Sequence, residues 1–365
     1  MKKRMVRVLT SAALTAAMVM SMGMTAFAEG EKPTTPITNI DIAKTLTSDG
    51  NTFAPNTVFR FTVREGNGGD FYDGQSTVTA LPGEVDGLKV SSSFEGIEFT
   101  PGETVMSKTE TKTGDDALVV DASKFSDTGI YHYIVEETAG DYDGIIYDQK
   151  DVNVYLYVYE NEDGALYVGS VAINKEDETG KATNINFVNT YGADPEKPEE
   201  VDKVHDITIE KQVTGTFGET NKDFNFKIKV VGVAGEKYKA VKTDKEGATT
   251  ETVILHDTET DVKLKDTETI QIFGLSENDL INVMETGAKE DGYIVSYVTD
   301  TGAEVDANFM ENARVDKDNT KIIFKNHKDA VTPTGIVMTF APYIALIALA
   351  GVFAVTFLRK RREEF

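Results

Sequence analysis

Apolar and polar residues alternate with a period of two along most of the chain, the spacing of half-buried strands and not of helices. Phe59, Phe61 and Val63 share one face of such a pattern, and so do Tyr131, Tyr133, Val135 and Glu137. Val152, Val154, Leu156 and Val158 interleave with Tyr155, Tyr157 and Tyr159. Asn161-Glu162-Asp163-Gly164 then supplies a turn, and Leu166, Val168 and Val171 return, which predicts a hairpin. The first patterned region, 38–191, closes on Ile185-Asn186-Phe187-Val188-Asn189. A Pro- and Glu-rich linker follows over 192–204. The alternation restarts across 205–329. Ile207, Ile209 and Lys211 fall in step, as do Phe224, Phe226, Ile228 and Val230. Leu264, Asp266, Glu268 and Ile270 lead into Ile272, Val283 and Glu285 share a face, and Ile322, Phe324 and Asn326 share another.

The two regions repeat one skeleton. Each opens on Ile-x-Ile-x-Lys (Ile40, Ile42, Lys44; Ile207, Ile209, Lys211), carries Val-x-Glu past its middle, and ends on Ile-x-Phe-x-Asn. Short strands at this spacing predict an all-β chain of two tandem immunoglobulin-like β-sandwich domains, 38–191 and 205–329.

The ends of the chain break the pattern. Lys2, Lys3, Arg4 and Arg7 precede an apolar run, and Ala26-Phe27-Ala28 is a small-x-small cleavage site, so residues 1–28 read as a signal peptide cleaved before Glu29. At the other end stand Val331-Thr332-Pro333-Thr334-Gly335, the uncharged stretch 336–358 and a basic tail, 359–365. The uncharged stretch is long enough for a transmembrane helix, and the basic cluster should stay cytoplasmic. The net charge of -24 disfavours nucleic acid and anionic lipid as partners. The exported chain has no cysteine, so its stability must come from something other than disulfides.

The repeated skeleton places a Lys, a Glu and an Asn among core-type residues in each half. Left alone, an unpaired buried amine or carboxylate costs several kcal/mol, so these groups must satisfy one another or react. A desolvated Lys loses its proton, and its neutral amine can attack the Asn side-chain carbonyl. A Glu kept neutral by the same burial can hydrogen-bond that carbonyl and pass protons to departing ammonia. The product is a Lys–Asn isopeptide bond, formed once per domain and needing no cofactor. Beside Glu137 stands Glu136, on the opposite face of the strand; the strand phase favours Glu137.

Two resemblances sharpen this reading. The C-terminal order of pentapeptide, apolar span and basic end resembles the cell-wall sorting signal of Gram-positive surface proteins. That resemblance implies cleavage by a sortase between Thr334 and Gly335. Pro333 lies one place later than in the usual Leu-Pro motif, as in signals read by pilus-building sortases. The two halves resemble the isopeptide-linked domains of streptococcal T-antigen backbone pilins. The matching stretches are IDIAKTLT and ITIEKQVTG, GIYHYIVEE and the approach to Glu285, and INFVNTY and IIFKNHKD. Carried over by position, the resemblance implies bonds Lys44–Asn189, with Glu137 as catalyst, and Lys211–Asn326, with Glu285. It also implies that a Lys shortly before the first Asn accepts the sortase-activated Thr334. Lys181 is favoured, with Lys175 nearby.

The function expected is a structural pilin subunit of a surface fimbrium, polymerised by sortase and finally attached to peptidoglycan. Its expected partners are the sortase, identical subunits and accessory pilins, with host surface ligands open. A monomeric wall-anchored adhesin or a minor basal pilin is the alternative. An enzyme acting on external substrates is disfavoured: His132, His205, His256 and His327 lie apart with no metal spacing, and no nucleophile or phosphate-loop motif is present.

Overall fold

The computed structural model describes residues 32–73, 76–175, 182–192, 203–300, 302–315 and 320–330, with three isolated positions at 343, 346 and 347. The expected signal peptide, Thr334, Gly335, Lys181 and, but for those three positions, the 336–358 span lie outside the described residues.

The first sandwich begins with β1 (Asn39–Thr47), β2 (Thr57–Phe59), β3 (Phe61–Glu65), β4 (Gly69–Tyr72) and β5 (Thr77–Pro82). It continues through β6 (Leu88–Val90), β7 (Ile97–Phe99), β8 (Thr109–Val120) and β9 (Gly129–Glu137). It closes with β10 (Ile145–Ile146), β11 (Val152–Glu160), β12 (Leu166–Lys175) and β13 (Ile185–Tyr191). One sheet runs β10-β13-β1-β8-β6; the other runs β12-β11-β9-β5-β4, with β3 also on β9. The expected β11–β12 hairpin forms, its turn completed by Asn161 Oδ1 accepting from Ala165 N and by Gly164 at φ 80°.

The second sandwich holds β14 (Val204–Thr214), β15 (Phe224–Val231), β16 (Lys237–Thr243), β17 (Thr249–Leu255) and β18 (Thr260–Leu264). After these come β19 (Thr269–Ser276), β20 (Leu280–Thr286), β21 (Ile294–Val298), β22 (Glu304–Val305), β23 (Phe309–Arg314) and β24 (Thr320–His327). Its sheets run β17-β16-β19-β14-β24-β21-β22 and β18-β15-β20-β23. Each sandwich encloses its own apolar core, and Val204, at the start of β14, packs into the core of the first.

In both sandwiches the first and last strands are parallel neighbours. Lys44 lies opposite Phe187 and Lys211 opposite Phe324. Because side chains alternate across a strand, Asn189 and Asn326, two residues further on, face the same side as those phenylalanines. The chain thus enters and leaves each domain along one pair of strands, with a Lys and an Asn turned toward the same core.

Three features depart from the simple alternation. Phe59 and Phe61 fall on separate strands, because the chain passes from β2, paired with β7, to β3, paired with β9. The run from Leu264 to Ile272 is interrupted: Thr267 sits at φ 67° and Glu268 turns inward to an ion pair with Lys242 at 2.7 Å. The tyrosines of β11 are buried as well as its valines. The β4–β5 hairpin lies near this outer face, and the Phe71 ring stacks on Tyr155 with centroids 3.5 Å apart.

Candidate functional site: two buried Lys–Glu–Asn triads

In the first sandwich, β1 delivers Lys44, the end of β9 delivers Glu137 and β13 delivers Asn189. Lys44 Nζ donates to Glu137 Oε2 at 2.7 Å, and Asn189 Nδ2 donates to Glu137 Oε1 at 2.7 Å. Lys44 is wholly buried and the Glu137 side chain is 2% exposed. The Phe59 ring centroid lies 4.7 Å from Nζ, and the Phe61 and Phe187 rings pack together 5.2 Å apart.

The second sandwich rebuilds this arrangement. Lys211 Nζ lies 3.0 Å from Glu285 Oε1 and 3.2 Å from Oε2, and Asn326 Nδ2 donates to Glu285 Oε1 at 2.6 Å. Lys211 Nζ also donates to the Phe324 carbonyl at 3.4 Å. Phe224 stands 4.7 Å from Nζ, as Phe59 does, and Phe226 packs on Phe324 at 5.4 Å, as Phe61 does on Phe187. The two glutamates also share a register: Glu137 is opposite Phe61, and Glu285 opposite Phe226.

The electrostatics follow from burial. Desolvation raises the carboxyls of Glu137 and Glu285 above their ordinary range, opposed by the neighbouring amines. Burial pushes the Lys211 amine down to about 8, against the pull of Glu285. In the second sandwich the two shifts converge, which lowers the cost of moving the proton from ammonium to carboxylate within the pair. Such a transfer would leave a neutral amine beside a neutral acid, with the Asn amide bonded to the same carboxyl. That set of groups can form an amide and release ammonia.

Glu136 points the other way, to an exposed ion pair with Arg64 at 2.6 Å. The pattern did not identify the phenylalanines as part of the site, although their signal was present: Phe-x-Phe recurs at Phe59/Phe61 and Phe224/Phe226. Nor could it show how each Asn carbonyl is held. Asn189 Oδ1 accepts from the backbone N–H of Asp148 at 2.8 Å. Asn326 Oδ1 is buried with no hydrogen-bond partner among the described residues. Among the described residues, no group of His, Cys, Asp and Glu is placed to hold a metal ion.

Residues 40–192 match the family described as the Spy0128-like isopeptide containing domain, and residues 205–328 match a domain of unknown function (DUF7601). The first sandwich therefore belongs to that isopeptide-containing domain family, carried in a tandem β-sandwich chain. Over 97% of its length the chain is 28% identical to a pilin of Streptococcus pyogenes serotype M1, of which 97% is covered. It also superposes on the crystal structure of the major pilin from Streptococcus pyogenes with a TM-score of 0.58 at 26% identity, covering 80% of this chain and 99% of that one. A further 33% identity, over 36% of this chain, links it to the pilus tip adhesin Cpa of Streptococcus pyogenes, of which it covers only 18%. The relatives that span most of the chain are pilins and not enzymes.

Proposed function

We propose that this protein is the backbone subunit of a covalent surface pilus. Each sandwich is locked by a self-formed bond, Lys44–Asn189 in the first and Lys211–Asn326 in the second, with Glu137 and Glu285 moving the protons. The domains are taken as 38–191 and 205–329. The observation that carries this reading is the recurrence of one buried triad, at one register, between the first and last strands of both sandwiches. A bond there ties the entry strand to the exit strand, so tension along the fibre passes through it and bypasses most of each domain. By the chain-entropy model, closing a loop of over about 100 residues stabilises by about 4–5 kcal/mol. This supplies the covalent support that a chain without cysteine otherwise lacks.

Export follows cleavage before Glu29. The 336–358 span holds the precursor in the membrane until a sortase cuts between Thr334 and Gly335. The Thr334 carbonyl then passes to Lys181 of the next subunit, and finally to peptidoglycan. Identical subunits, accessory pilins and the sortase are the partners. The adhesin alternative draws on a match to a small part of the tip protein, whereas the pilin match spans both chains.

The test is the intact mass of residues 29–334 produced without sortase. A deficit of two ammonias is expected, and the full calculated mass would overturn the cross-links. In cells, replacing Thr334 by Ala should abolish the ladder of polymers and wall attachment; a persisting ladder would overturn the sorting assignment.

A further inference from the structure

We infer that the backbone amide of Asp148 serves as an oxyanion donor for bond formation in the first sandwich, and that this sandwich closes its cross-link before the second does. The inference rests on the isopeptide chemistry proposed above. When Lys44 Nζ attacks Asn189 Cγ, the new C–N bond forms and the carbonyl electron pair moves onto Oδ1. The attacking nitrogen gives a proton to one oxygen of Glu137 as the other oxygen gives its own to Nδ2, so Glu137 is neutral before and after. Collapse restores the carbonyl and expels Nδ2 as ammonia. Negative charge therefore develops on Oδ1, where the Asp148 N–H already sits at 2.8 Å. A fixed donor at that position stabilises the intermediate more than the ground state.

Strand geometry explains why the donor is available. β10 pairs with β13 only through Ile145–Tyr191 and Ile146–Thr190. The ladder ends one step short of Asn189, and the amide of Asp148, two residues past its end, is directed at the Asn side chain. In the second sandwich the corresponding neighbour, β21, runs on as a regular partner past Asn326, with Val295 opposite it. Its backbone is committed to the ladder, and Asn326 Oδ1 has no donor among the described residues. Glu285, bonded to Nδ2 of the same amide, must there serve both the carbonyl oxygen and the leaving nitrogen. In the first sandwich those tasks are divided between Asp148 N–H and Glu137.

The experiment follows newly made chains of residues 29–334 by pulse labelling. Samples are quenched in denaturant at intervals and digested, and the Lys44–Asn189 and Lys211–Asn326 cross-linked peptides are quantified separately by mass. The first cross-link should appear at least about a hundredfold faster than the second, the low end of what a single oxyanion donor supplies. Asp148→Pro removes the N–H and should erase that lead while the second cross-link keeps its rate. Asp148→Ala keeps the N–H and should stay within about twofold of the parent. Equal or reversed order in the parent chain would overturn the inference, as would an Asp148→Ala rate as slow as that of Asp148→Pro. If Asp148→Pro fails to fold, the parent order and Asp148→Ala decide. Absence of both cross-links from the parent would instead overturn the underlying chemistry.

Discussion

The two sandwiches hold the same Lys, Glu and Asn in the same register, yet they surround the Asn amide differently. Lys44 and Lys211 face matching phenylalanines on the last strand, and each Glu bridges its amine and amide at hydrogen-bond distance. What differs is the strand beside the Asn: two residues long in the first domain, a continuous ladder in the second. The parts of the site fixed by strand pairing recur. The part supplied by a loop does not. Pairing constrains every side chain on a strand at once, whereas a loop amide is set by where its own strand happens to stop.

The largest expected effect tests whether the two sites are independent. Glu137→Ala should fall one ammonia, and not two, below its own calculated mass, and so should Glu285→Ala, each with the other domain still cross-linked. Calorimetry should show the affected domain melting lower by the lost loop closure, about 4–5 kcal/mol, with a further loss from the buried Lys left without its partner. If either variant loses both bonds, the domains do not act separately and the comparison fails.

Next in size is the aromatic wall. Phe59→Ala and Phe224→Ala each remove the ring 4.7 Å from a reacting amine. Large-to-small core changes of this kind cost about 3–5 kcal/mol. They also admit water, which holds the Lys protonated and should slow that domain's cross-link. Parallel losses in both domains, read by denaturant midpoint and by mass, would confirm the rings as equivalent. A loss confined to one domain would mean that the repeat stops at the triad.

Much of this arrangement was legible before any coordinates. The period-two pattern carried the all-β class and the two sandwiches, because a sheet with one buried face imposes that alternation. It also marked Lys44, Glu137, Asn189, Lys211, Glu285 and Asn326 as pointing with core residues, and the fold brings each set of three together. The Asp148 amide was not legible, since a backbone N–H carries no residue signature. The burial of Tyr155, Tyr157 and Tyr159 was not legible either, because the β4–β5 hairpin covering them comes from a distant part of the sequence.

A pH effect should separate the domains more gently. At the junction, Tyr142 of the first sandwich donates to Glu236 Oε1 at 2.8 Å, and Tyr238 donates to Glu236 Oε2 at 2.6 Å. Close by, Asp279 accepts from Ser276 N at 2.9 Å. Burial, reinforced by Glu236 and Asp143, pushes the Asp279 carboxyl up to about 7. A carboxyl raised on folding binds more protons in the native state, so its contribution is present at acid pH and lost as pH climbs toward 7. The second domain should therefore melt lower at pH 8 than at pH 5 by up to a few kcal/mol. Asp279→Asn should flatten that slope, and an unchanged slope would place the titration elsewhere.

The smallest effect concerns the neighbour of Glu137. The first domain reads Val135-Glu136-Glu137 where the second reads Val283-Met284-Glu285. Both outer positions flank a glutamate directed inward, yet one is charged and the other apolar, so the chemistry makes no demand there. Glu136 is an exposed partner of Arg64, which also reaches Asp151 at 2.8 Å. An ion pair of this kind is worth about 0.2–1 kcal/mol, and Arg64 keeps its second partner. Glu136→Ala should thus lower the first domain's stability by less than about 1 kcal/mol and leave both ammonia losses in the intact mass. Loss of the first cross-link in this variant would reverse the assignment of the two adjacent glutamates. It would also break the equivalence with the second domain, where Met284 has no proton to give.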